Sequence, residues 1–289
     1  PAGAGTWTNV GAADTTSPYS VSFDTTAVSD GLYDLRAITL DSAGNSLTSA
    51  VVANVRVDNT NPTGSVTAPA AGANVRQTIT VSSDSLDSGG SGVASARFER
   101  SPAGAGTWTD IGTDSGGAPW EVSFDTTGVG DGLYDLRVIT TDAVGNTLTS
   151  GVVANVRVDN TNPSALFGFP ASSTAYAASA WDAGCAAAGF CGTQSDGGSG
   201  VQQVEVSIQR VSSGLYWSAG SFSSPTEVYE TASLAGSDWS LAFASGNFPA
   251  DGDYVVHARA RDAANNMEAG PSRTFTYDNS APSVPALSY

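Results

Sequence analysis

The chain has 289 residues, 40% of them hydrophobic, with 28 acidic residues against eleven Arg and no Lys, a net charge of −17. That length suffices for two to three domains. The acidic balance argues against nucleic acid and against insertion into anionic membrane, and no apolar run approaches the ~18 residues of a membrane-spanning helix.

The chain opens on a repeat. Residues 1–62 recur as 102–163, offset by 101 positions, with 44 of the 62 residues identical. Pro1 therefore matches Pro102, which lies well inside the second copy. The first copy lacks a counterpart of residues 63–101, and half of a two-layered β-domain exposes its inner face. Two expectations follow. Either the natural chain extends upstream, which is favoured, or another chain supplies the missing strands.

The first complete element is DGLYDLRAITLDSAGN at residues 30–45, which returns as DGLYDLRVITTDAVGN at 131–146 and as DGDYVVHARARDAANN at 251–266. Asp-Gly opens a turn. Tyr134, Leu136, Val138 and Thr140 then alternate with Asp135, Arg137, Ile139 and Thr141, the period of a strand with one buried face. Asp-x-x-Gly-Asn closes it. Asn265 stands where Gly44 and Gly145 stand, so the position is expected to be left-handed.

This order of turn, Tyr, apolar strand and turn resembles the F strand of an immunoglobulin-like sandwich. Tyr33, Tyr134 and Tyr254 fall at the tyrosine corner, and Leu35, Leu136 and Val256 fall where antibody domains carry the second Cys. The inter-sheet disulfide is thus absent. The chain resembles the bacterial Ig-like (Big-type) repeats of large secreted and surface proteins, arrays similar to cadherins and adhesins. The resemblance implies an all-β fold, tandem immunoglobulin-like β-sandwiches in an extended array. Without Lys, the Lys–Asn isopeptide bond of some such domains cannot form.

Residues 1–62 are thus a partial module, and 63–162 a complete one. In the latter the pattern predicts strands at 64–67, 77–83, 93–100, 107–111, 120–124, 133–141 and 152–158, with Trp108 packing on the core and no helical periodicity. The linkers read VDNTNP at 57–62 and 158–163 and YDNSAP at 277–282, short and stiffened by Pro. Residues 163–282 form a longer module: 7 residues enter before Val201 and 12 more between Val201 and Asp251. Cys185 and Cys191 lie in the first insertion. With a single His in the chain they cannot complete a four-ligand zinc site, and a small loop disulfide in an extracellular setting is expected. Residues 283–289 read as the start of a further module or a linker.

In such a sandwich the linker, the BC loop and the FG turn meet at one end. The resemblance therefore gathers Asp58, Asn59, Asp84, Asp87 and Asp142 at one joint, and Asp159, Asn160, Asp196 and Asp262 at the next. Oxygen ligands from several loops are what Ca²⁺ needs; each residue is also explained by turn formation. Tyr216, Trp217 and Trp239 are candidates for stacking on a sugar ring. His257 aligns with Arg36 and Arg137 on the outward face, and one His supports no catalytic triad. The expectation is a non-enzymatic stalk, spacer or fibre segment of a secreted or cell-surface bacterial protein, its partners being its neighbouring modules. The alternatives are an adhesin or carbohydrate-binding module that meets a surface glycan or receptor, and a filament subunit that exchanges strands with its own copies.

Overall fold

The computed structural model describes residues 1–283; residues 284–289, most of the expected further module, lie outside them. By contact the chain divides into two compact units. One comprises Pro1–Ala73, Ile79–Phe124 and Tyr134–Val156; the other comprises Asn74–Thr78, Asp125–Leu133 and the residues from Arg157 on.

The first copy of the repeat carries four short strands: β1 (Gly31–Leu35), β2 (Ile38–Leu40), β3 (Ser46–Thr48) and β4 (Val52–Val57). β1 pairs with β4 from Gly31↔Val57, and β2 with β3 from Ile38↔Thr48. The Tyr33 hydroxyl donates to the Ser29 carbonyl at 2.7 Å, the tyrosine corner expected from the sequence.

The second copy and the segment before it carry β5 (Val66–Ala68), β6 (Asn74–Val75), β7 (Thr78–Ser83), β8 (Val93–Pro102), β9 (Thr109–Asp114), β10 (Trp120–Asp125), β11 (Gly132–Asp142), β12 (Thr147–Thr149) and β13 (Val153–Val158). One sheet runs β10-β7-β5; the other runs β6-β13-β11-β8-β9, with β12 on β11. The alternation of β11 does what its period requires: Leu136, Val138 and Thr140 are at most 1% exposed, while Arg137 and Ile139 stay half-buried on the other face. Trp108 is not core. It precedes β9 and lies half-buried beneath the Arg137 guanidinium, 4.1 Å from its ring centroid, on the outward face of β11. β6 pairs in parallel with β13 over two residues, too few for any sequence period to announce.

The longer module carries β14 (Ser164–Phe169), β15 (Ala175–Tyr176), a five-residue helix α1 (Ala178–Asp182), β16 (Gly189–Ser195), β17 (Val201–Arg210), β18 (Leu215–Ser218), β19 (Ser221–Ser224), β20 (Tyr229–Thr231), β21 (Ser233–Ala235), β22 (Asp238–Ala242), β23 (Gly252–Asp262) and β24 (Ser272–Tyr277). Its sheets run β14-β16-β22-β21 and β15-β24-β23-β17-β18-β19, with β20 on β17. The first insertion makes α1, which is too short to hold itself. Trp181 anchors it: fully buried, stacked on Phe275 with centroids 4.9 Å apart, and donating from its indole nitrogen to the Phe243 carbonyl at 2.7 Å. Cys185 and Cys191 are disulfide-bonded, tying the loop after α1 to β16. The Tyr254 hydroxyl donates to the Ala250 carbonyl, a second tyrosine corner, and Asn265 takes φ +69°, the left-handed conformation its replacement of glycine predicted.

Candidate metal centres

Two clusters of three aspartates have the same construction. In the first, Asp142 ends β11. Its Oδ1 accepts the backbone N–H groups of Val144, Gly145 and Asn146 at 2.7–3.0 Å, and its Oδ2 accepts from the Asn146 side-chain amide at 2.7 Å. This winds Asp-x-x-Gly-Asn into a turn with Gly145 at φ +101°. Asp58 follows β4 and accepts from the Thr60 and Ser91 N–H groups at 3.2 and 2.6 Å. Asp87 accepts from the Gly92 N–H at 2.7 Å. One oxygen of each carboxylate lies within 4.8 Å of the other two. Asp58 and Asp142 are buried.

The second cluster reproduces this wiring with Asp159, Asp196 and Asp262, again with oxygens within 4.8 Å. Asp262 accepts from the Asn266 N–H and side-chain amide, both at 2.7 Å; Asp159 accepts from the Thr161 and Ser199 N–H groups at 3.2 and 2.6 Å. Asp196 Oδ2 accepts from Gly198 and Gly200, while its Oδ1 is buried with no hydrogen-bond partner among the described residues. Asp159 and Asp262 are fully buried. A Cβ on Gly198 would stand 2.4 Å from the Asp159 carboxylate, so the chain passes as close to the cluster as glycine permits.

None of these six carboxylates makes an ion pair among the described residues. Two like charges 4.8 Å apart repel by on the order of 3 kcal/mol at an effective dielectric constant near 20. Backbone N–H groups offset part of this. Hydrogen bonds from Ser91 and Thr60 hold the Asp58 carboxyl below the usual carboxylate range against the opposing pull of burial. A divalent cation would turn the repulsion into attraction, and a donor set of hard oxygens fits Ca²⁺.

Three residues expected at these joints are elsewhere. The Asn59 N–H donates to Asp30 at 2.8 Å and its side-chain amide to the Thr25 carbonyl. Asn160 bonds likewise to Asp131 and, through its side-chain oxygen, to the Gln77 N–H. Asp84 accepts from the Ser65 N–H at 2.6 Å. Each is thus engaged with a backbone group distant in sequence, and Asp84 is not one of the three aspartates of its cluster. The sequence reading missed the partners they reveal. Asp30, Asp131 and Asp251, read only as turn openers, each grip the following linker. The Thr60 hydroxyl donates to Asp30 at 2.5 Å, the Thr161 hydroxyl to Asp131 at 2.6 Å and the Ser280 hydroxyl to Asp251. The signal was present as a Thr or Ser two residues after each linker Asp, in DNT, DNT and DNS. The Thr60 hydroxyl and the Asn59 N–H hold the Asp30 carboxyl below its usual range, as the Ser280 hydroxyl and the Asn279 N–H do for Asp251.

The aromatic candidates do not form one platform. Trp239 is 1% exposed, edge-on to Phe167, and donates to the Thr193 carbonyl; it is core. Tyr216 and Trp217 are neighbours on β18 and so project to opposite faces. Trp217 is half-buried against Phe243 and Phe222, and with Phe222, Asn247 and Pro249 it borders a shallow depression of about 250 Å³. His257 is tied into the surface: its Nδ1 meets the Tyr229 hydroxyl at 2.8 Å and Glu227 at 3.2 Å, and its Nε2 meets the Ala269 carbonyl. Burial, with Glu227 beside it, pushes the Tyr229 hydroxyl up to about 12.

No helix among the described residues is long and apolar enough to cross a membrane. Among curated proteins no sequence matches the chain. Among solved structures it is similar to the fibronectin(III)-like modules of Clostridium thermocellum CbhA (16% identity, TM-score 0.40, covering 74% of this chain and 93% of that one). It is also similar to the FN1-FN3 domains of chicken CNTN1 (12%, 0.42, 84% and 74%) and to a putative membrane anchored protein from Corynebacterium diphtheriae (15%, 0.24, 84% and 65%). Two family models match. A bacterial Ig domain covers residues 62–138, and a bacterial Ig-like domain of group 3 covers 17–88 and again 118–179, so the two together span more than half of the chain. The chain carries bacterial Ig-like domains in tandem.

Proposed function

We propose that this chain is a stalk, spacer or fibre segment of a secreted or cell-surface bacterial protein, with Ca²⁺ bound at each of the two aspartate clusters. The observation that carries the reading is the duplication. Asp58, Asp87 and Asp142 on the one hand, and Asp159, Asp196 and Asp262 on the other, converge from linker, loop and F strand in the same arrangement. Each cluster takes its first aspartate from the linker that enters the module, so an ion there would fix the linker to the module it leads into. The disulfide suits an oxidising, extracellular setting. The modules themselves would be non-catalytic, holding another part of the protein at a distance.

Thermal unfolding with millimolar Ca²⁺ and with chelator, followed by small-angle scattering, tests this. A higher midpoint and a stiffer particle with Ca²⁺ support it; no change in either sinks it. A second reading, glycan recognition by the longer module, is favoured only by the depression beside Trp217. It predicts binding on a glycan array that is lost in Trp217→Ala.

A further inference from the structure

The two complete modules fill one position on the F strand differently. In the second copy Arg137 on β11 stands directly across from Glu99 on β8, ion-paired at 2.7 Å, with Trp108 beneath its guanidinium. In the longer module the same register sets His257 on β23 across from Ser207 on β17. A permanent cation is thus replaced by an imidazole, and its carboxylate partner by a hydroxyl. A second carboxylate arrives from the stretch lengthened by 12 residues. Glu227, just before β20, brings its Oε1 to 3.2 Å from His257 Nδ1 and accepts from the Ser207 hydroxyl at 2.6 Å. β20 pairs with β17 on the side away from β23, with Tyr229 across from Ser207. His257, Ser207 and Tyr229 therefore form one row over three strands.

Acceptors surround the imidazole. Its Nε2 meets the Ala269 carbonyl, which can only accept, so Nε2 carries a proton in either charge state. Its Nδ1 meets Glu227 Oε1 and, at 2.8 Å, the Tyr229 hydroxyl. An imidazolium donates from both nitrogens, and its Nδ1–H binds the Glu227 carboxylate in a charge-assisted bond. A neutral imidazole turns the Nδ1 lone pair toward a carboxylate oxygen, two acceptors with no proton between them. The Tyr229 hydroxyl then donates to Nδ1, and Glu227 keeps only Ser207. Arg259, 3.6 Å from the Tyr229 ring centroid, has its charge offset by Glu205 at 2.8 Å. On the other side β24 sets Ser272 across from His257.

Of the three side chains that meet at Nδ1, only the imidazole changes charge near neutrality. Against the cost of burial, hydrogen bonds from Ser207 and His257 hold the Glu227 carboxyl below its usual range. Burial pushes the Tyr229 hydroxyl up to about 12. Both keep one charge state between about pH 5 and pH 8, the interval in which an imidazole changes its own.

We infer that His257, Glu227 and Tyr229 form a proton-operated clamp between β20 and β23: the imidazolium holds Glu227, and the neutral ring releases it and takes the Tyr229 hydroxyl instead. The clamp tightens as pH falls and slackens as pH rises. In the second copy Arg137 and Glu99 hold the equivalent strands at any neutral pH, so the device belongs to the longer module.

The test is hydrogen exchange of the full chain at about pH 5 and pH 8, with chelator throughout and rates corrected for the intrinsic effect of pH. The strand opens locally, so peptides over 226–232 report the clamp, and peptides over 252–262 confirm that the module stays folded. Protection of 226–232 should be about tenfold greater in acid, the difference between a charge-assisted and a neutral hydrogen bond. His257→Arg, which restores the residue of the second copy, should give high protection at both pH values. His257→Gln should give low protection at both. Equal protection of the natural chain at the two pH values overturns the inference. So does a pH dependence that survives in His257→Gln, which would assign it to another group.

Discussion

The side-chain amide of Asn146 donates to the backbone carbonyl of Asp58, 88 residues earlier, while holding the Asp142 carboxylate at 2.7 Å. Asn266 does the same for Asp159 and Asp262. One amide thereby couples a linker to the turn after the F strand.

Asn266→Ala removes a buried donor and leaves a buried carbonyl and a carboxylate short of a partner. It should destabilise the longer module by about 1–3 kcal/mol, read by denaturant unfolding. Asn146→Ala, at a more exposed site, should cost less.

Asp262→Asn separates the two effects of the clustered carboxylates. With chelator present, removing one of three like charges should leave the midpoint unchanged or raise it. With millimolar Ca²⁺ it should abolish the rise expected for the longer module and leave that of the Asp58–Asp87–Asp142 cluster. A Ca²⁺-dependent rise that survives in the double variant Asp142→Asn, Asp262→Asn would place the ion elsewhere.

Acid should loosen the linkers. Hydrogen bonds hold the carboxyls of Asp30, Asp58 and Asp251 below their ordinary range in the folded chain. A carboxyl depressed on folding contributes stability that is complete above its unfolded value, near 4, and is lost as pH falls through the lower folded value. The unfolding midpoint measured with chelator should therefore be level above about pH 5 and fall below about pH 4. Asp251→Asn should flatten that fall for the longer module.

The longer module should depend on its insertion. Trp181→Ala empties the centre of an aromatic cluster and should cost about 3–5 kcal/mol. Reducing the Cys185–Cys191 disulfide opens only a short loop and should cost roughly 2 kcal/mol. Calorimetry of the variant and of the reduced chain gives the two numbers.

What could be read in the sequence was whatever a local rule determines. The two-residue period of β11 fixes which face holds Leu136 and Val138, and the steric demand of a left-handed turn exposes Asn265. The three aspartates that converge at each joint were legible once the loop order of the sandwich was assumed. Asn59 and Asn160, expected at the joints, are hydrogen-bonded to Asp30 and Asp131, because the same residue can face a loop cluster or cap a turn and only the path of the backbone decides. Asp30, Asp131 and Asp251 hid behind the Asp-Gly signal, which already accounted for them. The failure of residues 19–24 to form a strand, when their near-copy makes β10, was not legible at all. The near-copy has a neighbour in β7, whose last residue, Ser83, lies 37 positions before Trp120, and a strand exists only through its partner.

The clip at Asp30 bears on how this chain would carry load. Asn59 and Thr60 are bonded back to Asp30, while Asp58 is bonded forward to Ser91 and receives Asn146 at its carbonyl. A pulling force along the chain would meet these side-chain bonds before any strand ladder. Their rupture would free about five residues, some 17–18 Å of extended chain, with both flanking sheets intact. The linker would then act as an extensible element that yields first and re-forms when tension is released.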